Sequence, residues 1–177
     1  CNISHNHCYH VADYTYHLCR FMDYTEEEAV KISEAAFWHD IGKLVIDERI
    51  LKKRGKLAAN EFEQIKRHTF YGKQILAGDD EFSKLCENIA YQHHERYDGN
   101  GYNGMTGDIS DPHAAIVSVA DVMDALTSSR EYKRKWSFEE AFNYIISHSG
   151  DFFDPSVVKA LANNKKYIRQ LYELLDR

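Results

Sequence analysis

Proline is almost missing from this sequence, with two in 177 residues, and runs of β-branched residues are few. Little interrupts a helix and little favours a strand, so the chain leans α-helical. Ala, Leu, Ile, Lys and Glu fill its periodic segments, which points the same way. No run of about 18 apolar residues occurs and no signal peptide is seen, so the segment reads as soluble, with no membrane span. Positive charge is not in excess. A formal net charge of -6 argues against binding a DNA or RNA duplex or an anionic membrane through broad electrostatics, while leaving room for a local basic pocket. The four cysteines, Cys1, Cys8, Cys19 and Cys86, form no CxxC pair. They read as the reduced, scattered thiols of a cytoplasmic protein rather than a disulfide framework. Internal repeats and low-complexity segments are also lacking. The length fits one domain over residues 1–177. The chain opens at Cys1 without a methionine, which reads as an excerpt of a longer protein.

Apolar spacing of three and four predicts a helix over residues 5–22, with Val11, Tyr14, Leu18 and Phe21 on one face. Thr25 and Glu28 form a capping-box signature for a second helix that carries Ile32, Ala35, Ala36 and Trp38 and ends near Gly42. After a short helical piece at residues 48–51 and a basic turn, Asn60 is expected to cap a helix to about residue 76, with Phe62, Ile65, Thr69 and Ile75 near its inner face. Another helix is expected over 81–95. Residues 96–112 form a glycine-rich loop too long to be a mere connector. The run from His113 to Ser128 is apolar nearly all round and predicts a buried central helix. Ser137 and Asp154-Pro155 open the last two helices. The expected fold class is all-α, a bundle of about seven helices.

The chemistry gathers around His39-Asp40-Ile41-Gly42-Lys43. Adjacent residues of a helix point about 100° apart, so His39 and Asp40 could face two neighbouring metal ions, with the carboxylate bridging them. His93-His94 is a second adjacent pair, at a helix end, and His68 lies within a helix. Imidazole ligates Fe, Mn and Zn, but on sequence alone these histidines read first as surface or satisfied core groups. Asp121 sits within an apolar helix, where an ionised carboxylate is costly unless paired or metal-bound. Asp124 lies on the same face and could orient a metal-bound histidine. Lys43 could reach a phosphate oxygen, or act as a solvated helix-end cation.

Three stretches together resemble the HD-GYP family of bacterial phosphodiesterases within the wider HD superfamily. They are His39 to Lys43, His93-His94-Glu95-Arg96-Tyr97-Asp98-Gly99-Asn100-Gly101-Tyr102, and Val119-Ala120-Asp121-Val122-Met123-Asp124-Ala125-Leu126-Thr127-Ser128-Ser129-Arg130. The resemblance runs from about His7 to Pro155. It implies an HD-domain bundle that hydrolyses a cyclic dinucleotide, cyclic di-GMP first, to pGpG or GMP through a hydroxide held between two divalent ions, iron or manganese. It further implies metal ligation by His7, His39, Asp40, His68, His93, His94 and Asp121, with Asp40 as the bridge. Asp40 and Lys43 would carry catalysis, Lys43, Tyr102, Arg130 and Lys133 would contact substrate, and Asp124 would support a ligand from behind. Two other outcomes stay open: a hydrolase of another nucleotide phosphoester such as cyclic GMP-AMP, and a non-catalytic nucleotide- or partner-binding signalling module. A homodimer or an upstream sensor domain would be compatible partners.

The sequence departs from that pattern in several places. Asn103 follows Gly101-Tyr102 where the family carries its signature proline, so the loop is expected to be more mobile. His10 stands where Arg is usual, Asp47 and Glu131 replace prolines, and Ile3 replaces a glutamate that ligates a third metal in some members. Two ions rather than three are expected. Of the crowd His5, His7, Cys8 and His10, the register selects His7.

Overall fold

The computed structural model describes residues 5–107, 111–128 and 134–175. Its elements run α1 (His5–Phe21), α2 (Glu26–Phe37), a 3-10 helix (Ile41–Val45), α3 (Glu48–Leu51), α4 (Ala59–Lys66), α5 (His68–Leu76), α6 (Glu81–Gln92), α7 (Pro112–Thr127), α8 (Phe138–Ser147), α9 (Pro155–Asn163) and α10 (Lys165–Leu175). Among the described residues there is no β-strand, and the all-α expectation holds.

The helix count is higher than expected because two long segments are broken. The piece expected over 60–76 divides at Arg67, whose N–H bonds the Gln64 carbonyl and tightens the turn that precedes His68. The last segment divides at Asn164, which caps α9 before α10 begins. The cap of α4 is also not Asn60. The chain enters that helix at Ala58, whose N–H donates to Glu61. Phe62 and Ile75 are exposed rather than inward, whereas Thr69 is buried. Trp38 lies past the end of α2 and is exposed.

Helix α7 is the axis of the core. Ile116, Val117, Val119, Ala120 and Met123 are essentially inaccessible and cover most of its circumference. Helices α1, α6, α8 and α9 pack around it. Each such large apolar side chain contributes about 1.5–3 kcal/mol relative to exposure. Val11, Tyr14 and Leu18 of α1 meet this core, and α1 also lies along α2. The capping box at Thr25 and Glu28 forms, as does the one at Ser137 and Glu140, and Asp111 and Asp154 cap α7 and α9 ahead of proline.

Two glycines set the approach of the 3-10 helix to α5. A Cβ on Gly42 would overlap the His68 carbonyl and the Gly72 backbone nitrogen. A Cβ on Gly72 would stand 3.1 Å from the Ala90 Cβ. The 3-10 helix therefore rests on the α5 backbone, α5 packs closely on α6 through Gly72 and the Ala90 methyl, and the site lies along this seam and the adjoining face of α7.

A candidate dinuclear metal centre

His39 and Asp40 are not helical. Helix α2 ends at Phe37, and the pair occupies the turn that leads into the 3-10 helix. Their divergent aim comes from that turn, which corrects the expectation of a continuous helix to Gly42. Lys43 belongs to the 3-10 helix, so the Asp40–Lys43 ion pair closes over three residues.

The folded chain brings two groups of side chains together. Asp40, His68, His93 and His94 offer ligand atoms that all lie within 4.8 Å of one another, and His7, His39 and Asp121 form a second such group. Asp40 stands between them. Its Oδ1 is 3.3 Å from His68 Nε2 and 3.8 Å from His93 Nε2. Its Oδ2 is 3.4 Å from His39 Nε2 and 3.9 Å from His7 Nε2. One oxygen faces each group.

The histidines are aimed from behind. Nδ1 of His39 donates to the Ala36 carbonyl at 2.8 Å, and Nδ1 of His68 to the Ile65 carbonyl at 2.7 Å. His93 Nδ1 donates to the Ala90 carbonyl at 3.1 Å. A carbonyl can only accept, so each Nδ1 carries the hydrogen and each Nε2 turns a lone pair inward. His7 is held differently. Its Nδ1 lies 2.6 Å from Asp124 Oδ2, while its Nε2 is 3.3 Å from Asp121 Oδ1. Asp124 in turn receives His10 Nδ1 at 2.8 Å and Ser128 Oγ at 2.9 Å.

These residues fit divalent cations. His39 Nε2 and Asp40 Oδ1 are buried polar atoms without a hydrogen-bond partner among the described residues. Nε2 of His68 and of His93 approach to 3.4 Å with lone pairs opposed, and a carboxylate oxygen faces both. Such a cluster of buried acceptors is costly unless something positive lies among them. The donors are all nitrogen and oxygen. Cys8, Cys19 and Cys86 are buried outside the groups, with thiol pKa values pushed up to about 11, 12 and 11 by burial.

Electrostatics separates the groups. Burial pushes His94 down to about 4, and it lowers His68 and His93 as well, so all three are neutral imidazoles ready to ligate. Burial also pulls on His7, but hydrogen bonds to Asp121 and Asp124 overcome it and lift His7 to about 9. Burial works against ionising Asp40 and Asp121. The Lys43 ammonium nonetheless holds Asp40 well below the usual carboxylate range, and the hydrogen bond from His7 does so for Asp121.

Tyr102 closes the His94 side. Its ring lies 4.5 Å from the His94 ring and 6.3 Å from that of His68. Arg130 and Lys133, expected at the substrate, lie outside the described residues, as does Ile3. Three residues to which the sequence assigned no site role also belong to the arrangement: His10 and Ser128, which fix Asp124, and Glu95, which ties down the loop after His94. Glu95 lies inside a motif already recognised, yet only the fold shows its carboxylate turned inward, 6% exposed.

Comparison with known proteins fits this geometry. The chain is 42% identical over 149 residues, 83% of its length and 39% of the relative's, to a cyclic di-GMP phosphodiesterase response regulator of Xanthomonas campestris. It is 39% identical over 171 residues, 96% of its length and 46% of the relative's, to a cyclic di-GMP phosphodiesterase of Thermotoga maritima. It is 36% identical over 157 residues, 88% of its length and 30% of the relative's, to a 3'3'-cGAMP-specific phosphodiesterase of Vibrio cholerae. The chain thus spans under half the length of these relatives. Among solved structures, an HD-GYP-type protein of Bdellovibrio bacteriovorus shares the fold at a TM-score of 0.70 and 22% identity, over 90% of this chain and 51% of that one. The HD domain profile matches residues 3–157, and the chain belongs to the HD domain family.

Proposed function

We propose that this domain is a metal-dependent phosphodiesterase of the HD-GYP type, and that it hydrolyses a cyclic dinucleotide, with cyclic di-GMP as first candidate. The observation that carries the reading is Asp40, whose two oxygens face two separate groups of candidate ligands. The relatives' names supply the substrate class. A donor set of imidazole and carboxylate without thiolate suits iron or manganese.

Two bound divalent ions would supply Lewis acidity toward the phosphodiester and a water acidic enough to attack near neutral pH. The chain does the rest. His7, His39 and Asp121 would hold one ion, His68, His93 and His94 the other, and Asp40 both. The carbonyls of Ala36, Ile65 and Ala90 and the carboxylate of Asp124 fix the imidazole orientations before any ligand arrives, which limits reorganisation. Lys43 places a cation beside Asp40, close enough to offset charge that grows on a phosphate oxygen. Tyr102 forms one wall, and Arg130 and Lys133 would grip the substrate's phosphates or bases. In-line attack of water forms a new P–O bond and breaks the bond to a ribose 3′-oxygen, leaving pGpG or, after a second cut, GMP.

A cyclic GMP-AMP hybrid is a second candidate substrate, favoured by the cGAMP-specific relatives. Anaerobic purification, metal analysis and a panel of cyclic dinucleotides followed by product chromatography tests all of this. The expected result is two Fe or Mn per chain and turnover of cyclic di-GMP ahead of cyclic GMP-AMP. Dinucleotide binding without turnover in the metal-loaded protein would leave the signalling-module reading in its place.

A further inference from the structure

Glu95 is a buried carboxylate whose hydrogen bonds come from the following loop. One oxygen accepts the Asn103 backbone N–H at 2.7 Å and the Asn103 side-chain amide at 2.9 Å. The other accepts the Met105 N–H at 2.8 Å. The Asn103 amide also donates to the Tyr91 carbonyl at 3.0 Å, at the end of α6. Just ahead of these anchors the backbone runs close against the turn that carries His94. A Cβ on Gly101 would stand 2.5 Å from the Glu95 Cα and 2.7 Å from the Arg96 nitrogen. The Tyr102 N–H points at the His94 carbonyl, 3.4 Å away.

The pinned loop delivers Tyr102. On one side its ring covers His94 and His68. On the other it meets the Phe62 ring at 6.0 Å, with the Lys66 ammonium 5.7 Å from its centroid. Sequence reasoning expected Asn103, in place of proline, to loosen this loop. The structure shows Asn103 as one of its fastenings. Proline at 103 would have no N–H for Glu95 and no amide for Tyr91.

We propose that Glu95 and Asn103 act as a clamp that positions Tyr102 as a fixed wall of the substrate site beside His94. Neither residue touches the reacting atoms. The proposal rests on the phosphodiesterase reading for its kinetic consequence, but not for its structural one.

The test has two arms. In steady-state kinetics, Asn103→Pro and Glu95→Gln are each expected to lower kcat/KM about tenfold, mainly through KM, as loss of one or two charge-assisted hydrogen bonds would. Metal content should equal that of wild type. In a Tyr102→Ala background the same substitutions should change kcat/KM less than about twofold, because the clamp acts through that ring. A clamp that only stabilised the fold would give the full effect in both backgrounds, and that result overturns the proposal. The second arm needs no substrate. Residue-resolved amide exchange should be at least about tenfold faster in Glu95→Gln than in wild type at whichever of Asn103 and Met105 faces the new NH2, since glutamine keeps only one acceptor oxygen for the two N–H groups. Equal rates in the two proteins also overturn the clamp. Absence of turnover in the metal-loaded wild type would sink the phosphodiesterase reading alone, and the exchange arm would still decide the clamp.

Discussion

The two candidate ligand groups meet at one carboxylate and differ in the charge around their histidines. The group of His68, His93 and His94 is built on α5 and the end of α6, and burial holds its imidazoles neutral. Backbone carbonyls orient His68 and His93, and a carbonyl has no charge to give. The group of His7, His39 and Asp121 draws on α1, the turn after α2 and α7, and its outermost histidine is held by two carboxylates. One group is made of desolvated neutral donors, the other sets a charged His7 against the carboxylates of Asp121 and Asp124. A proton competes for His7 Nε2 across the physiological range and hardly competes for His68, His93 and His94. Divalent ions bound at the two groups are therefore expected to differ in how readily they are lost.

The largest effect erases the comparison. Asp40→Ala should abolish binding of both ions and cut turnover more than about a thousandfold, as removing the shared ligand disables both halves. Metal analysis and turnover on cyclic di-GMP read this out, and retention of either ion near full occupancy would show that Asp40 does not join the groups. Next, His94→Ala should cost the metal on its own side, leaving about one ion per chain and turnover reduced at least about a hundredfold. Titration of the apo variant with Mn(II) should show one high-affinity step where wild type shows two.

Asp124→Asn should weaken metal affinity about 10–100-fold on the His7 side only, because it changes the carboxylate behind a ligand and not a ligand. The same titration checks it: an equal loss on both sides would dissolve the distinction. The smallest effect is a difference in pH dependence. Raising pH removes the competing proton from His7 up to about 9, so apparent affinity on that side should climb up to about tenfold per unit between pH 6 and 9. On the His94 side, where the imidazole stays neutral above about 4, affinity should be nearly flat over the same interval. Isothermal titration at several pH values separates the two slopes, and parallel slopes would remove the electrostatic contrast.

Much of this was legible in the sequence, and the rest was not for physical reasons. The pairing of His39 with Asp40 and of His93 with His94, and the acids inside the α7 run, stood out because polar groups interrupt apolar periodicity. The fold brings His7 and Asp124 together from 117 residues apart. Local pattern could not show how the ends would be trimmed. The apolar rhythm runs through Trp38 as if α2 continued, but the chain turns there and aims His39 and Asp40 by turn geometry. Nor does composition distinguish Asn60 from Ala58 as the entry to α4, because Glu61 supplies the cap bond backward. The partners of Glu95 are backbone N–H groups, which no side-chain pattern reveals.

Gly42 carries a consequence for how such a site can change over evolutionary time. Its missing side chain lets the Asp40 turn rest on the His68 carbonyl and the Gly72 nitrogen. Any replacement there must push α5, and His68 with it, away from Asp40. The separation of His68 from Asp40 is thus set by a residue that has no side chain at all. Selection can exchange Tyr102, Phe62 or Lys66, side chains that meet beside the candidate site, one at a time. It has no comparable small step at Gly42, where the first methyl group already exceeds the space available.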